Sequence, residues 1–130
     1  MVELLRKLTE ARGVSGNEDE VRDIIKGEIS PLVDKVYTDG IGNLIAYKKG
    51  KSPDNKKRIM LCAHMDEVGF IITSISENGM LKFRPVGGID PRILISKRVH
   101  IGKNRIPGVL GIKAIHLQEP NERKNAVKVE

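Results

Sequence analysis

The 130-residue chain reads as an α/β protein whose helices come first and whose second half is β-rich. Three observations predict this. Aliphatic residues at helical spacing fill the first thirty positions. An apolar run at 58–63 lacks alternation, as a strand covered on both faces does. After Gly69, short β-type runs follow at even spacing between Gly, Pro and Asn turns. The predicted boundary therefore separates an α/β part, 1–68, from a small β-barrel or sandwich, 69–130.

Leu4, Leu5, Leu8 and Ala11 fall on one face of a first helix, which Gly13 ends. Ser15 followed by Glu18 fits a capping box for a second helix, and Asn17 with Glu20 fits as well. Val21, Ile24, Ile25 and Ile29 form the buried stripe of that helix, which stops near Ser30-Pro31. Lys35-Val36-Tyr37-Thr38 and Asn43-Leu44-Ile45-Ala46-Tyr47 read as strands across the turn Asp39-Gly40-Ile41-Gly42, with Asp39 capping the turn. The central strand 58–63 follows a lysine-rich loop. Four short strands complete the chain, at 70–76, 80–86, 98–101 and 109–113, parted by Asn78-Gly79, Gly87-Gly88, Asn104 and Pro107-Gly108. Gly87-Gly88-Ile89-Asp90-Pro91 lacks the spacing and lysine of a phosphate-cradling loop, so a tight turn is expected there, and Asp90-Pro91 suits the start of a short helical turn.

Composition narrows the function classes. With two Tyr, two Phe and no Trp, the core must be aliphatic. The net charge of +6 raises the question of an acidic partner, but the excess is local. Lys48, Lys49, Lys51, Lys56, Lys57 and Arg58 crowd one Gly/Ser/Pro/Asp/Asn-rich stretch with no interleaved aromatic for base stacking, so a solvated hairpin loop is preferred to a nucleic-acid patch. The single cysteine, Cys62, lies inside the apolar run and is expected to be a buried, inert thiol. No apolar stretch approaches the ~20 residues of a membrane span. The first residues are charged and amphipathic, unlike a signal peptide, so a cytoplasmic protein is expected.

The most informative stretch is Ala63-His64-Met65-Asp66-Glu67-Val68-Gly69-Phe70, where an apolar strand gives way to a histidine and two carboxylates and then resumes. Burying such groups costs several kcal/mol unless they are paired or hold a metal. Their usual place is the carboxyl end of a strand facing a cleft, where open α/β sheets hold ligands. His64 and Asp66 project to the same side of extended backbone, so the carboxylate can bond one ring nitrogen and leave the other for a cation.

In this setting the motif closely resembles the glutamyl aminopeptidase, deblocking aminopeptidase and TET family of two-metal peptidases. Three further stretches agree, in order. They are Asp39-Gly40-Ile41-Gly42-Asn43-Leu44-Ile45-Ala46, the segment 83–94 (FRPVGGIDPRIL) and the segment 108–116 (GVLGIKAIH). The resemblance implies a metal-dependent aminopeptidase acting on the amino-terminal residues of peptides, with a phosphorylase/hydrolase-like catalytic domain. It implies two divalent ions, zinc or cobalt, with His64 as a metal ligand. Asp66 would orient His64 and raise its basicity, a role such families count as catalytic, and Glu67 has no metal role. The β-rich part would be an inserted domain that builds a homo-oligomer.

Family members are more than twice as long, and their other ligands follow the stretch resembling 121–130. The chain is therefore expected to be a truncated, amino-terminal piece that is inactive alone, and marginal in stability or oligomeric. His64 as an ordinary buried histidine is the bland alternative, which the neighbouring carboxylate and the framework motifs outweigh. His100 and His116 read as ordinary β-region positions, and a three-histidine zinc site with His64 is improbable across the boundary. The competing functions are a non-catalytic interaction module and, less favoured, a basic nucleic-acid-binding domain. Nothing marks the carboxylate pair of a glycosidase.

Overall fold

A computed structural model of the chain describes residues 1–51, 57–112, 116 and 119. The chain divides into two compact units, 1–69 and 70–130. Helices and sheets are mixed, and no described helix is long and apolar enough to cross a membrane.

The first unit begins with α1 (Val2–Glu10). Arg6 pairs with Glu3 and Glu10 on its exposed face at the spacings that bring helical side chains together. Leu4 and Leu8 are half-buried and Ala11 is buried, whereas Leu5, at the margin of the stripe, stays exposed. The second helix, α2 (Asp19–Ile29), packs on α1 through a stripe in which Val21 is buried and Ile24, Ile25 and Ile29 are half-buried. A 3₁₀ turn, Ser30–Leu32, ends it where Pro31 has no N–H to continue the ladder.

Neither expected capping box forms. Glu18 occupies the cap position without a side-chain cap bond, and its carboxylate instead accepts from the Gly16 amide at 2.6 Å. Gly16, at φ +86°, turns the chain before the helix starts, and the Ser15 hydroxyl goes to a charged acceptor, Asp66, which binds it more strongly than an amide would. Asp19 and Glu20 in the first turn complement the helix dipole in place of the cap.

Strands β1 (Lys35–Thr38) and β2 (Leu44–Tyr47) form an antiparallel hairpin in which Lys35 faces Tyr47 and Thr38 faces Leu44. Asp39 fixes the turn as expected. Its carboxylate accepts from the amides of Ile41 and Asn43 at 3.1 and 2.9 Å and from the Asn43 side chain at 2.9 Å. Gly42, at φ +94°, closes the turn and lets Arg22 approach, so that the Arg22 Nε donates to the Gly42 carbonyl at 2.8 Å. Arg22 also pairs with Glu18 and Asp19, which fastens the hairpin turn to the start of α2.

The expected central strand at 58–63 is not paired with any described strand. Ile59, Met60 and Leu61 are 86, 85 and 92% exposed, and Cys62, expected to be buried, is exposed too. A strand without neighbours on its edges has neither a ladder nor a covered face, and its apolar side chains stay in water. The middle of the lysine-rich loop, 52–56, lies outside the described residues.

The β3 strand (Gly69–Ile75) opens the β-rich half and bonds to β4 (Leu81–Val86) across a turn held by the Ser76 amide on the Met80 carbonyl at 2.8 Å. Phe70 and Phe83 meet edge to face, their ring centroids 4.8 Å apart. A 3₁₀ turn at Pro91–Ile93 starts from Asp90, whose carboxylate accepts from the Arg92 amide at 3.0 Å. Then β5 (Arg98–Ile101) pairs antiparallel with β6 (Ile106–Val109), around a turn that contains Gly102 at φ +66° and Arg105 at φ +51°.

The last described strand thus falls earlier than the expected 109–113, and Pro107-Gly108 lies within the ladder rather than in a turn. Pro107 is tolerated because, among the described residues, β6 bonds to β5 alone, so one edge needs no donor. A Cβ at Gly108 would lie 2.6 Å from Ile101 Cδ1, so glycine gives the side chain its room. Residues 113–115 of the final motif, and 120–130, lie outside the described residues.

Among the described residues the strands remain three separate two-stranded sheets, and the buried apolar residues are Ala11, Val21 and Leu110. The core is aliphatic, as composition required, but thin.

Candidate metal and catalytic site

Two segments meet to form the site, both in the first unit. Residues 13–15 leave α1 and run beside residues 65–69, with Val14 and Glu67 forming a parallel bridge. The Glu67 amide donates to the Gly13 carbonyl at 2.6 Å, and the Glu67 carboxylate accepts from the Gly13 amide at 3.3 Å. Two glycines permit this approach. A Cβ at Gly13 would lie 3.0 Å from the Met65 carbonyl oxygen, and one at Gly69 would lie 2.5 Å from Val14 Cγ2. Glu67, without a metal role in the sequence reading, therefore docks the segment carrying the motif onto the stretch between the helices.

His64 and Asp66 come together as the sequence predicts. The His64 Nδ1 lies 3.0 Å from both the Asp66 carboxylate Oδ1 and the Asp66 carbonyl oxygen. Both partners can only accept while the carboxyl is ionised, so in the neutral ring Nδ1 carries the proton and Nε2 keeps its lone pair. The carboxyl is held below the ordinary value of 3.8, chiefly by the Ser15 hydroxyl, which donates to Oδ2 at 2.6 Å. Desolvation opposes this, while the residue's own amide and the His64 ring add to it. The His64 side chain is 85% exposed and Asp66 44%, so the pair stands open to solvent.

Beside the pair is a cavity of about 220 Å³, between Glu18, the Gly42-Asn43 turn and residues 63–66. Arg22 supports its far wall through Glu18 and Gly42. An imidazole with a free Nε2, aimed by a carboxylate, is the donor arrangement of a metal-binding histidine. One imidazole does not make a metal site, and among the described residues no group of three or more His, Cys, Asp or Glu could hold an ion. His100, opposite Pro107 in the β5–β6 hairpin, and His116 are exposed positions in the second unit.

Sequence reasoning missed Ser15, which it assigned to helix capping. The signal that could have found it is weak: a serine among glycines, fifty-one residues from its partner.

A profile described as M42 glutamyl aminopeptidase matches residues 42–130, more than half of the chain, and one described as AMPT matches residues 1–25. The chain belongs to the M42 glutamyl aminopeptidase family. Among M42-like relatives, the lysyl aminopeptidase of Pyrococcus furiosus is 35% identical over 119 residues, which are 89% of this chain and 33% of that protein. The solved TET aminopeptidase of a marine sediment thaumarchaeon is 38% identical with a TM-score of 0.87, over 98% of this chain and 35% of that one. The TET1 peptidase of Pyrococcus horikoshii, described as assembling into a tetrahedron or a large octahedral shell, is 36% identical with a TM-score of 0.76, over 98% of this chain and 37% of that one. The chain spans about a third of the length of each of these relatives.

Proposed function

We propose that this chain supplies the His64 part of a divalent-metal aminopeptidase site, whose remaining ligands and proton-transferring carboxylate come from polypeptide outside these 130 residues. The observation that carries the reading is the His64 ring, bonded through Nδ1 to the Asp66 carboxylate and carbonyl beside an open cavity, with Nε2 left for a cation. Membership of the M42 family and relatives named aminopeptidases support it. In this reading His64 is a metal ligand and Asp66 the residue that aims it. A zinc or cobalt pair would polarise the peptide carbonyl and activate water, and this chain's part is to hold one ligand in place.

The same reading assigns 1–68 to the amino-terminal part of the catalytic domain and 69–130 to an inserted β-rich, barrel-type oligomerisation domain. The exposed side chains of Ile71, Ile72, Ile75 and Met80 support an assembly role for that second part. The exposed thiol of Cys62 suits a reducing compartment, and the cytoplasm is the proposed location. Peptides are the proposed substrates. The family profile is named for a glutamyl aminopeptidase and one relative is a lysyl aminopeptidase.

A fusion of residues 1–130 to the carboxyl-terminal two-thirds of the Pyrococcus furiosus lysyl aminopeptidase tests the reading. The fusion is expected to hydrolyse aminoacyl anilides with zinc or cobalt, and His64→Ala to abolish this, while the 130-residue chain alone turns over little or nothing. Robust hydrolysis by the chain alone, or an active His64→Ala fusion, contradicts the proposal.

A further inference from the structure

We propose that Ser15 is a positioning residue of the site, holding the Asp66 carboxylate in the one rotamer that accepts the His64 Nδ1 proton; this rests on the reading of His64 and Asp66 above.

Asp66 is 44% exposed, and a carboxylate on so open a side chain turns freely about χ1 and χ2 unless more than one contact restrains it. A single bond from the still more open His64 ring ties two mobile groups together without fixing either. Besides the residue's own amide, the carboxylate has two side-chain donors, one on each oxygen: His64 Nδ1 on Oδ1 at 3.0 Å and the Ser15 hydroxyl on Oδ2 at 2.6 Å. The shorter, charge-assisted contact comes from Ser15.

Ser15 is itself placed by the backbone. The Val14–Glu67 bridge and the Glu67 amide on the Gly13 carbonyl fix its distance from the motif, and Gly13 and Gly69 remove the side chains that would keep the strands apart. The order of support runs from Ser15 through Asp66 to His64. A serine kept for helix capping would face the α2 amides, yet α2 has no side-chain cap bond.

Isotope-labelled 130-residue chain carries the test. Three-bond couplings report the Asp66 χ1 rotamer, and long-range ring correlations report the His64 tautomer, at a pH where the ring is neutral. In the unmodified chain a single Asp66 rotamer and the Nδ1–H tautomer are expected. Ser15→Ala should give averaged Asp66 couplings and a mixed tautomer while the α2 amide shifts stay in place, and Ser15→Thr, which keeps the hydroxyl, should restore both. Ser15→Cys, close in volume and a poor donor, repeats the measurement if the alanine variant unfolds.

Unchanged couplings and tautomer in Ser15→Ala, or in Ser15→Cys where the alanine variant unfolds, overturn the proposal. The fusion to the carboxyl-terminal two-thirds of the Pyrococcus furiosus enzyme separates the two levels of the argument. If Ser15→Ala disorders Asp66 in the chain but the His64→Ala fusion stays active, the ligand reading of His64 fails and the Ser15 role stands.

Discussion

The pair at the centre of the site shows how little of a functional geometry resides in its own two residues. Spacing alone puts His64 and Asp66 on one side of extended backbone, and the structure joins them at 3.0 Å. The tautomer follows from chemistry, since two acceptors on Nδ1 leave Nε2 for an incoming cation. If Asp66 sets that arrangement, Asp66→Asn should weaken zinc or cobalt affinity at His64 by about 10- to 100-fold, the usual loss when a ligand's supporting carboxylate is removed. Zinc titration of the fusion that carries the remaining ligands measures it, and equal affinities with and without the substitution contradict the assignment. The partner of Asp66 on its other side was not legible in the sequence. Ser15-Gly16-Asn17-Glu18 carries the residues of a capping box, and only the fold reveals that its hydroxyl serves a carboxylate fifty-one positions away.

At the scale of elements, legibility followed locality. The β1–β2 hairpin could be read because Asp39, Gly40, Gly42 and Asn43 encode their own turn, and β5 because it is bounded by polar and glycine residues. The strand at 58–63 and the last strand could not, since one needs edges the described chain does not provide and the other depends on where Gly102 and Arg105 reverse the chain. Two predictions belong here. The Asp39 carboxyl is held below 3.8, chiefly by the Asn43 side chain, with backbone amides adding and desolvation opposing. A lowered value means a contribution fully present above pH 3.8 and lost as pH falls through the lower, folded-state value. Hydrogen exchange of the Asn43 amide should therefore accelerate below pH 3.8 beyond its intrinsic pH dependence, and Asp39→Asn should remove that extra step. Gly69→Ala should destabilise the first unit by about 1–3 kcal/mol, because the added methyl meets Val14 Cγ2 at 2.5 Å in a close backbone approach. Urea unfolding measures it, and a change below a few tenths of a kcal/mol contradicts the packing argument.

For the whole molecule, the decisive quantity is apolar surface left in water. Ile59, Met60 and Leu61 are each more than four-fifths exposed, and each side chain forgoes about 1.5–3 kcal/mol of burial. Set against a typical domain stability of about 5–15 kcal/mol, those three residues alone decide whether the first unit is robust or marginal. The chain is expected to bind a hydrophobic dye in its native buffer and to associate as concentration rises. Light scattering that shows a stable monomer at high concentration, with no dye binding, contradicts this. Charged substitution at Leu61, which has the most exposed side chain of the run, should reduce association without changing the β1–β2 hairpin amides.

The bridge between Val14 and Glu67 carries a consequence for how the site comes into being. Its two sides are separated by more than fifty residues, so closing them is a long-range event that waits for most of the first unit to be made. On a ribosome, Ser15 would emerge early and stay idle until the histidine motif followed it out. A synthetic peptide covering 61–70 would contain both motif residues and still present a freely turning ring, because the restraint on that ring is stored in a distant part of the backbone.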